Sequence, residues 1–160
     1  MANISQVLQL VGQLNYVWTN TESLFIYLIA HLAKTNKEAA IVIFLTLNTT
    51  RARLDLIERL AKTSGVSSET RVAVLKITER LSHEARIRNK YNHCIYSFDD
   101  KGELSNTQLM RIADFGNELK YGKVEALDDE EMIRLRAAIT EVTAVNRAIW
   151  DFMSAGGIEV

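Results

Sequence analysis

The sequence predicts a mostly α-helical protein, a four-helix up-and-down bundle with a small β-hairpin between the third and fourth helices. Three observations carry that expectation. The 160 residues contain no proline and only seven glycines, so the strongest helix breakers are nearly absent. Apolar residues recur three or four positions apart over long stretches, the spacing that gathers them on one helix face. Between residues 105 and 127 that period gives way to a Gly116-Asn117 turn signal flanked by Ile112, Phe115, Leu119, Tyr121 and Val124.

The first helix is expected over residues 3–34, where Leu8, Val11, Leu14, Val17, Leu24, Tyr27 and Leu28 form a wide apolar face. Its polar middle, Trp18-Thr19-Asn20-Thr21-Glu22, permits a break or kink. Asn36 is a natural N-cap for a second helix over residues 37–63, closed by Ser64-Gly65. The first half of that helix is apolar nearly all round, which implies deep burial. Its second half carries charges of both signs and reads as a solvated face with local pairs such as Asp55 with Arg59. Arg51 and Arg53 belong to that face, with phosphate binding as the minority alternative.

Ser67 or Ser68 caps the third helix, which is expected to reach about Tyr96 with Val74, Ile77, Leu81 and Ala85 as its core stripe. Asp99-Asp100-Lys101-Gly102 then makes a turn. Residues 108–115 and 118–127 read as the two strands of the hairpin, and a short helix over 105–117 competes, since Leu109, Ile112 and Ala113 also fit helical spacing. Asp128 with Glu131 makes a capping-box-like start to the last helix, which runs to about Met153 and stops before Gly156-Gly157. No repeat, low-complexity run or linker divides the chain, so one domain over residues 1–160 is expected.

Composition narrows the function. A hydrophobic fraction of 48% with 24% charged residues is ordinary for a folded soluble chain and argues against disorder. A formal net charge of −1 argues against a broad basic surface for nucleic acid, so any RNA contact is expected to be local. The lone Cys94 cannot make an intramolecular disulfide, no apolar run approaches the roughly 20 residues of a membrane span, and the N-terminus lacks a secretory pattern. A cytoplasmic protein with no membrane association is expected. There is no Gly-rich phosphate loop and no histidine or cysteine set at metal-ligand spacing, so no metal and no cofactor are expected. His31 lies among apolar residues and reads as a packed side chain, and His83 reads as solvent-facing. Cys94 beside His93 does not make a thiol nucleophile, because adjacent helical positions point about 100° apart.

The chemistry concentrates at the end of the third helix. Continuing its core stripe reaches Arg88 and Asn92, so the buried face turns polar, while Arg86, Asn89 and His93 lie on a neighbouring stripe. Arg88, followed directly by the polar Asn89 and after four intervening residues by His93, resembles the signature of the HEPN superfamily of helical proteins. Arg86 to His93 also fits the six-residue form of that spacing. Many members of the family are metal-independent endoribonucleases. The resemblance implies catalysis by Arg88, Asn89 and His93, with Glu22, Arg86, Tyr91 and Asn92 in support, and Glu22 as an acidic partner for Arg88. It also implies a homodimer in which two copies of the motif face each other across the cleft.

In that reading His93 exchanges the proton, since imidazole titrates near neutral pH, and Arg88 holds phosphate oxygens through its planar fork. Asn89 positions either partner. The expected activity is RNA cleavage by 2′-hydroxyl attack on phosphate, in a toxin or defence component controlled by an antitoxin or other protein partner. The alternative is a non-catalytic helical dimer that binds a nucleotide or a protein through the same polar cluster.

Overall fold

The computed structural model describes residues 3–160. In chain order these form α1 (Ile4–Ser23), α2 (Phe25–Leu32), α3 (Lys37–Thr46), α4 (Thr50–Ala61), α5 (Ser68–Asn92), β1 (Cys94–Phe98), β2 (Leu104–Leu109), β3 (Ile112–Phe115), β4 (Glu118–Tyr121), β5 (Val124–Ala126) and α6 (Asp129–Ala155). The chain is mostly helical, yet it is not the expected four-helix up-and-down bundle. Two of the expected helices are broken in two, and five strands stand where one hairpin was expected.

Each break has a local cause. The first helix stops at Ser23, just beyond the polar Trp18-to-Glu22 stretch. There the Thr21 hydroxyl bonds back to the carbonyl of Val17 at 2.6 Å, and the N–H of Leu24 takes the carbonyl of Thr21 at 3.1 Å. Such back-bonding bends a helix and tightens its last turn. The second break falls after Thr46. Leu47 is extended, and the Thr49 hydroxyl accepts the N–H of Ala52 at 3.1 Å as the N-cap of α4. Asn36 caps α3 as the sequence predicts, accepting from Ala39 at 2.8 Å.

The third helix ends at Asn92 rather than near Tyr96. Cys94-Ile95-Tyr96-Ser97-Phe98 is a β-branched and aromatic run that pairs antiparallel with β2, from Cys94 opposite Leu109 to Phe98 opposite Leu104. The turn at Asp99 joins them, with its carboxylate accepting the N–H groups of Lys101 and Glu103 at 2.8 and 2.9 Å. β2 also pairs with β5, giving a three-stranded sheet in the order β1-β2-β5.

The hairpin is present and the competing short helix is not. β3 and β4 pair from Ile112 opposite Tyr121 to Phe115 opposite Glu118, around Gly116-Asn117 with Gly116 at φ +59°. The expected strands over 108–115 and 118–127 are two limbs of one bent ribbon. Its outer part is β2 with β5 and its inner part β3 with β4. Between the pairs Gln108–Val124 and Ile112–Tyr121, three residues face two, a bulge that turns the ribbon. Gly122 is required at that corner, because a Cβ there would lie 1.9 Å from the carbonyl oxygen of Leu109.

The chain forms two compact units. Unit 1 comprises Met1–Asn15 and Ala85–Thr140, with Val7, Leu10, Leu14, Tyr91, Leu104, Thr107, Leu127, Met132 and Leu135 buried. Unit 2 comprises Tyr16–Glu84 and Glu141–Val160. Its buried residues include Trp18, Phe25, Leu28, Ile29, Ile57, Val74, Leu81, Val142 and Ile149. The predicted stripe of the third helix holds at Val74, Ile77 and Leu81. The deep burial expected for residues 37–47 does not: only Ala40 and Phe44 of α3 are buried, and Val42, Ile43 and Leu45 are exposed.

Arg53 organises unit 2 and is not the solvated charge expected. Its Nε donates to the carbonyls of Phe44 at 3.1 Å and Leu47 at 2.8 Å, closing the end of α3, and its guanidinium carbon lies 3.9 Å from the centre of the Phe44 ring. Asp55 pairs with Arg51 at 3.1 Å rather than with Arg59. Asp128 accepts the N–H of Glu131 at 2.9 Å, the expected start of α6. That helix runs two residues beyond Met153 and ends with Gly157 at φ +63° and the N–H of Ile158 on the carbonyl of Met153 at 2.9 Å.

Candidate active site

The C-terminal turn of α5 is fixed in unit 1 by Lys90 and Tyr91. Tyr91 is buried and donates its hydroxyl to Glu131 Oε1 at 2.9 Å. Lys90 Nζ donates to the same oxygen and lies 2.7 Å from Glu125 Oε2. One cation thus joins three elements, α5, β5 and the first turn of α6. Lys123 adds a second cation on Glu125 at 3.0 Å, and Arg134 reaches the other oxygen of Glu131 at 3.4 Å.

The electrostatics follow from these contacts. Burial alone would lower the Lys90 ammonium, but hydrogen bonds to Glu125 and Glu131 and their charges outweigh it and hold it above its ordinary value. Burial raises the Tyr91 phenol, and Glu131 raises it further, so the hydroxyl stays a donor. Hydrogen bonds from Lys90 and Lys123 hold the Glu125 carboxyl down at about 2.

On this anchored turn the motif residues divide by exposure. Arg86, Asn89 and His93 are exposed, while Arg88 and Asn92 are half-buried. Arg88 Nη1 donates to Asn89 Oδ1 at 3.2 Å. His93 is not on the helix proper. It occupies the single position between α5 and β1, where its N–H donates to the carbonyl of Lys90 at 3.2 Å and its own carbonyl accepts from Met110 at 2.9 Å. Both ends of its backbone are therefore tied, to the helix on one side and to the ribbon corner on the other, while the imidazole faces outward.

The structure brings together Arg88 and Asn89, and Tyr91 is buried against Glu131. Glu22 belongs to unit 2, and its carboxylate carries a set of partners there. It accepts from Trp18 Nε1 at 2.9 Å, from the Thr50 hydroxyl at 3.1 and 3.2 Å and from Arg53 Nη1 at 2.9 Å. The residues that sequence reasoning missed are Lys90, Glu125 and Glu131. Glu131 was visible as part of a cap, but its partner Lys90 lies 41 residues away, and no local spacing reveals such a pair.

Burial pushes the Cys94 thiol up from its ordinary value. His31 is exposed and sets its ring at 81° to Phe152 with centroids 6.3 Å apart, and His83 is exposed beside Glu84 at 3.3 Å. Among the described residues no group of three or more His, Cys, Asp or Glu side chains could hold a metal ion, and no helix is long and apolar enough to cross a membrane. No family model matches the chain, and neither the curated proteins nor the solved structures include one similar to it.

Proposed function

We propose that the protein is a metal-independent endoribonuclease of HEPN type, acting in the cytoplasm as a toxin or defence component under the control of a protein partner. The observation that supports this reading is the hydrogen bond from Arg88 to Asn89 on a helix end held by Lys90 and Tyr91, with the exposed His93 directly after that helix. A rigid mount of this kind is what a phosphate clamp and a proton-transfer group need.

Arg88, oriented by Asn89, binds the non-bridging oxygens of the scissile phosphate and offsets the charge that builds there. His93 takes the proton of the 2′-hydroxyl, whose oxygen attacks phosphorus as the bond to the 5′-oxygen breaks. The leaving oxygen is protonated by His93 of a second copy, so the reaction uses a homodimer with its motifs opposed. The products are a 2′,3′-cyclic phosphate and a 5′-hydroxyl. Arg86 and Asn92 flank the phosphate site.

Replacing His93 with alanine is expected to slow cleavage of labelled RNA in excess EDTA by roughly 10²-fold or more, the usual worth of a proton-transfer group, with the circular dichroism spectrum and melting curve unchanged. Cleavage at the wild-type rate by the variant would remove His93 from the mechanism. A second reading has its own support. The exposed apolar side chains of β3 and β4 suit a non-catalytic dimer that binds a protein or nucleotide, and tight binding without turnover would favour it.

A further inference from the structure

The β3–β4 hairpin stands apart from the rest of unit 1 in its exposure. All eight of its strand residues are exposed, among them Ile112 at 63%, Phe115 at 60%, Leu119 at 53% and Tyr121 at 63%. A two-stranded ribbon with both faces and both edges open is marginal in water, and an open edge is a template for another strand. We infer that β4 pairs antiparallel with β4 of a second copy of this chain, so that two hairpins join into one four-stranded sheet.

The backbone decides which groups are free to pair. The N–H of Gly122 donates to the carbonyl of Arg111 at 2.9 Å, which makes residues 111 and 122 a hydrogen-bonded pair. Antiparallel pairs alternate, so Lys120 and Glu118 also turn their backbone groups toward β3, and Leu119 and Tyr121 turn theirs outward. A partner strand must therefore bond at Leu119 and Tyr121.

That requirement leaves four two-fold registers within β4, centred on residues 118, 119, 120 or 121. Centring on Glu118 sets the two Glu118 carboxylates opposite each other, and centring on Lys120 does the same with two ammonium groups. Centring on Leu119 sets Glu118 against the partner's Lys120 twice, as non-hydrogen-bonded pairs with side chains at their closest, and Leu119 against the partner's Leu119. Opposite residues share a face. The leucines extend the apolar face of Ile112 and Tyr121, while the ion pairs lie on the face of Phe115. β3 offers no such match, because it carries Asp114 and no cation. Centring on Tyr121 sets Lys120 opposite the partner's Gly122 and opposes no charges, so the charge pattern of β4 attracts in one register, repels in two and contributes nothing in the fourth.

This contact is separate from the motif-to-motif pairing proposed above and does not rest on it. The test is mass by light scattering for the full chain across the micromolar range. Glu118→Lys alone and Lys120→Glu alone set like charges opposite each other, and each is expected to weaken association about tenfold or more and so halve the observed mass. Mixed together the two variants complement each other at both sites, and the mixture is expected to regain the wild-type mass. Lys120 also lies 5.8 Å from the Phe115 ring centre, so recovery on mixing distinguishes the pairing from a loss internal to the hairpin. Leu119→Cys in a Cys94→Ser background is expected to form a chain-to-chain disulfide on mild oxidation. A monomeric wild type, or single variants that keep the wild-type mass, would overturn the inference. So would a mixture that stays at the reduced mass. His93→Ala should leave the mass unchanged, which separates this result from the fate of the ribonuclease reading.

Discussion

Two side chains hold more structure than their number suggests. Arg53 closes the carbonyls of α3, lies against the Phe44 ring and neutralises the buried Glu22, whose side chain is only 6% exposed. Arg53→Met removes the cation and leaves that carboxylate buried beside Trp18 and Thr50. The expected loss is about 3 kcal/mol in chemical denaturation, and a loss below about 1 kcal/mol would contradict the arrangement. Lys90 does the corresponding work in unit 1, and its contacts predict a pH dependence. Glu125 is held at about 2 against an ordinary 4.5, so its contribution is present above 4.5 and lost as pH falls toward 2. Lys90 is raised above 10.5, so its contribution is present below that value and lost as pH rises through the higher one. Stability should be level through neutral pH and fall at both ends, and Lys90→Met should flatten both limbs. An unchanged profile in that variant would show that the pairing contributes nothing to folding.

At the scale of elements, the corner of the bent ribbon is the most sensitive point. Gly122→Ala would press a methyl group onto the carbonyl of Leu109, which is backbone and cannot swing aside. The expected cost is about 2 kcal/mol, read as a lower denaturation midpoint, and a neutral effect would mean that the corner is loosely held. The hairpin turn at Gly116-Asn117 was legible in the sequence because its signal is local, and so were the caps at Asn36 and Asp128 and the end near Gly157. The breaks after Ser23 and Thr46 were harder. Thr21 and Thr49 act through single hydroxyl bonds, which an apolar period running across them conceals. β1 was missed because the helical stripe reaches Arg88 and Asn92 and continues by spacing to Ile95, while the alternation that marks a strand begins only at Cys94. At the site, the stripe shared by Arg86 and Asn89 was legible from periodicity, but the end of the helix before His93 was not. Nor was the Lys90–Glu131–Tyr91 anchor, since it joins residues brought together only by the fold.

At the scale of the whole molecule, the chain has a formal charge of −1, and the proposed RNA contact depends on a few arginines at one helix end rather than on a basic surface. Catalysis with a proton taken on one side and returned on the other needs two copies of His93, so activity and self-association are linked in this account. The most direct measurement is incubation of the wild-type protein with end-labelled RNA in excess EDTA, followed by analysis of the new 3′ ends. The account predicts cleavage that leaves 2′,3′-cyclic phosphates and is lost in His93→Ala. Intact RNA after incubation with a folded, dimeric wild-type protein, or products ending in a 3′-hydroxyl, would contradict it.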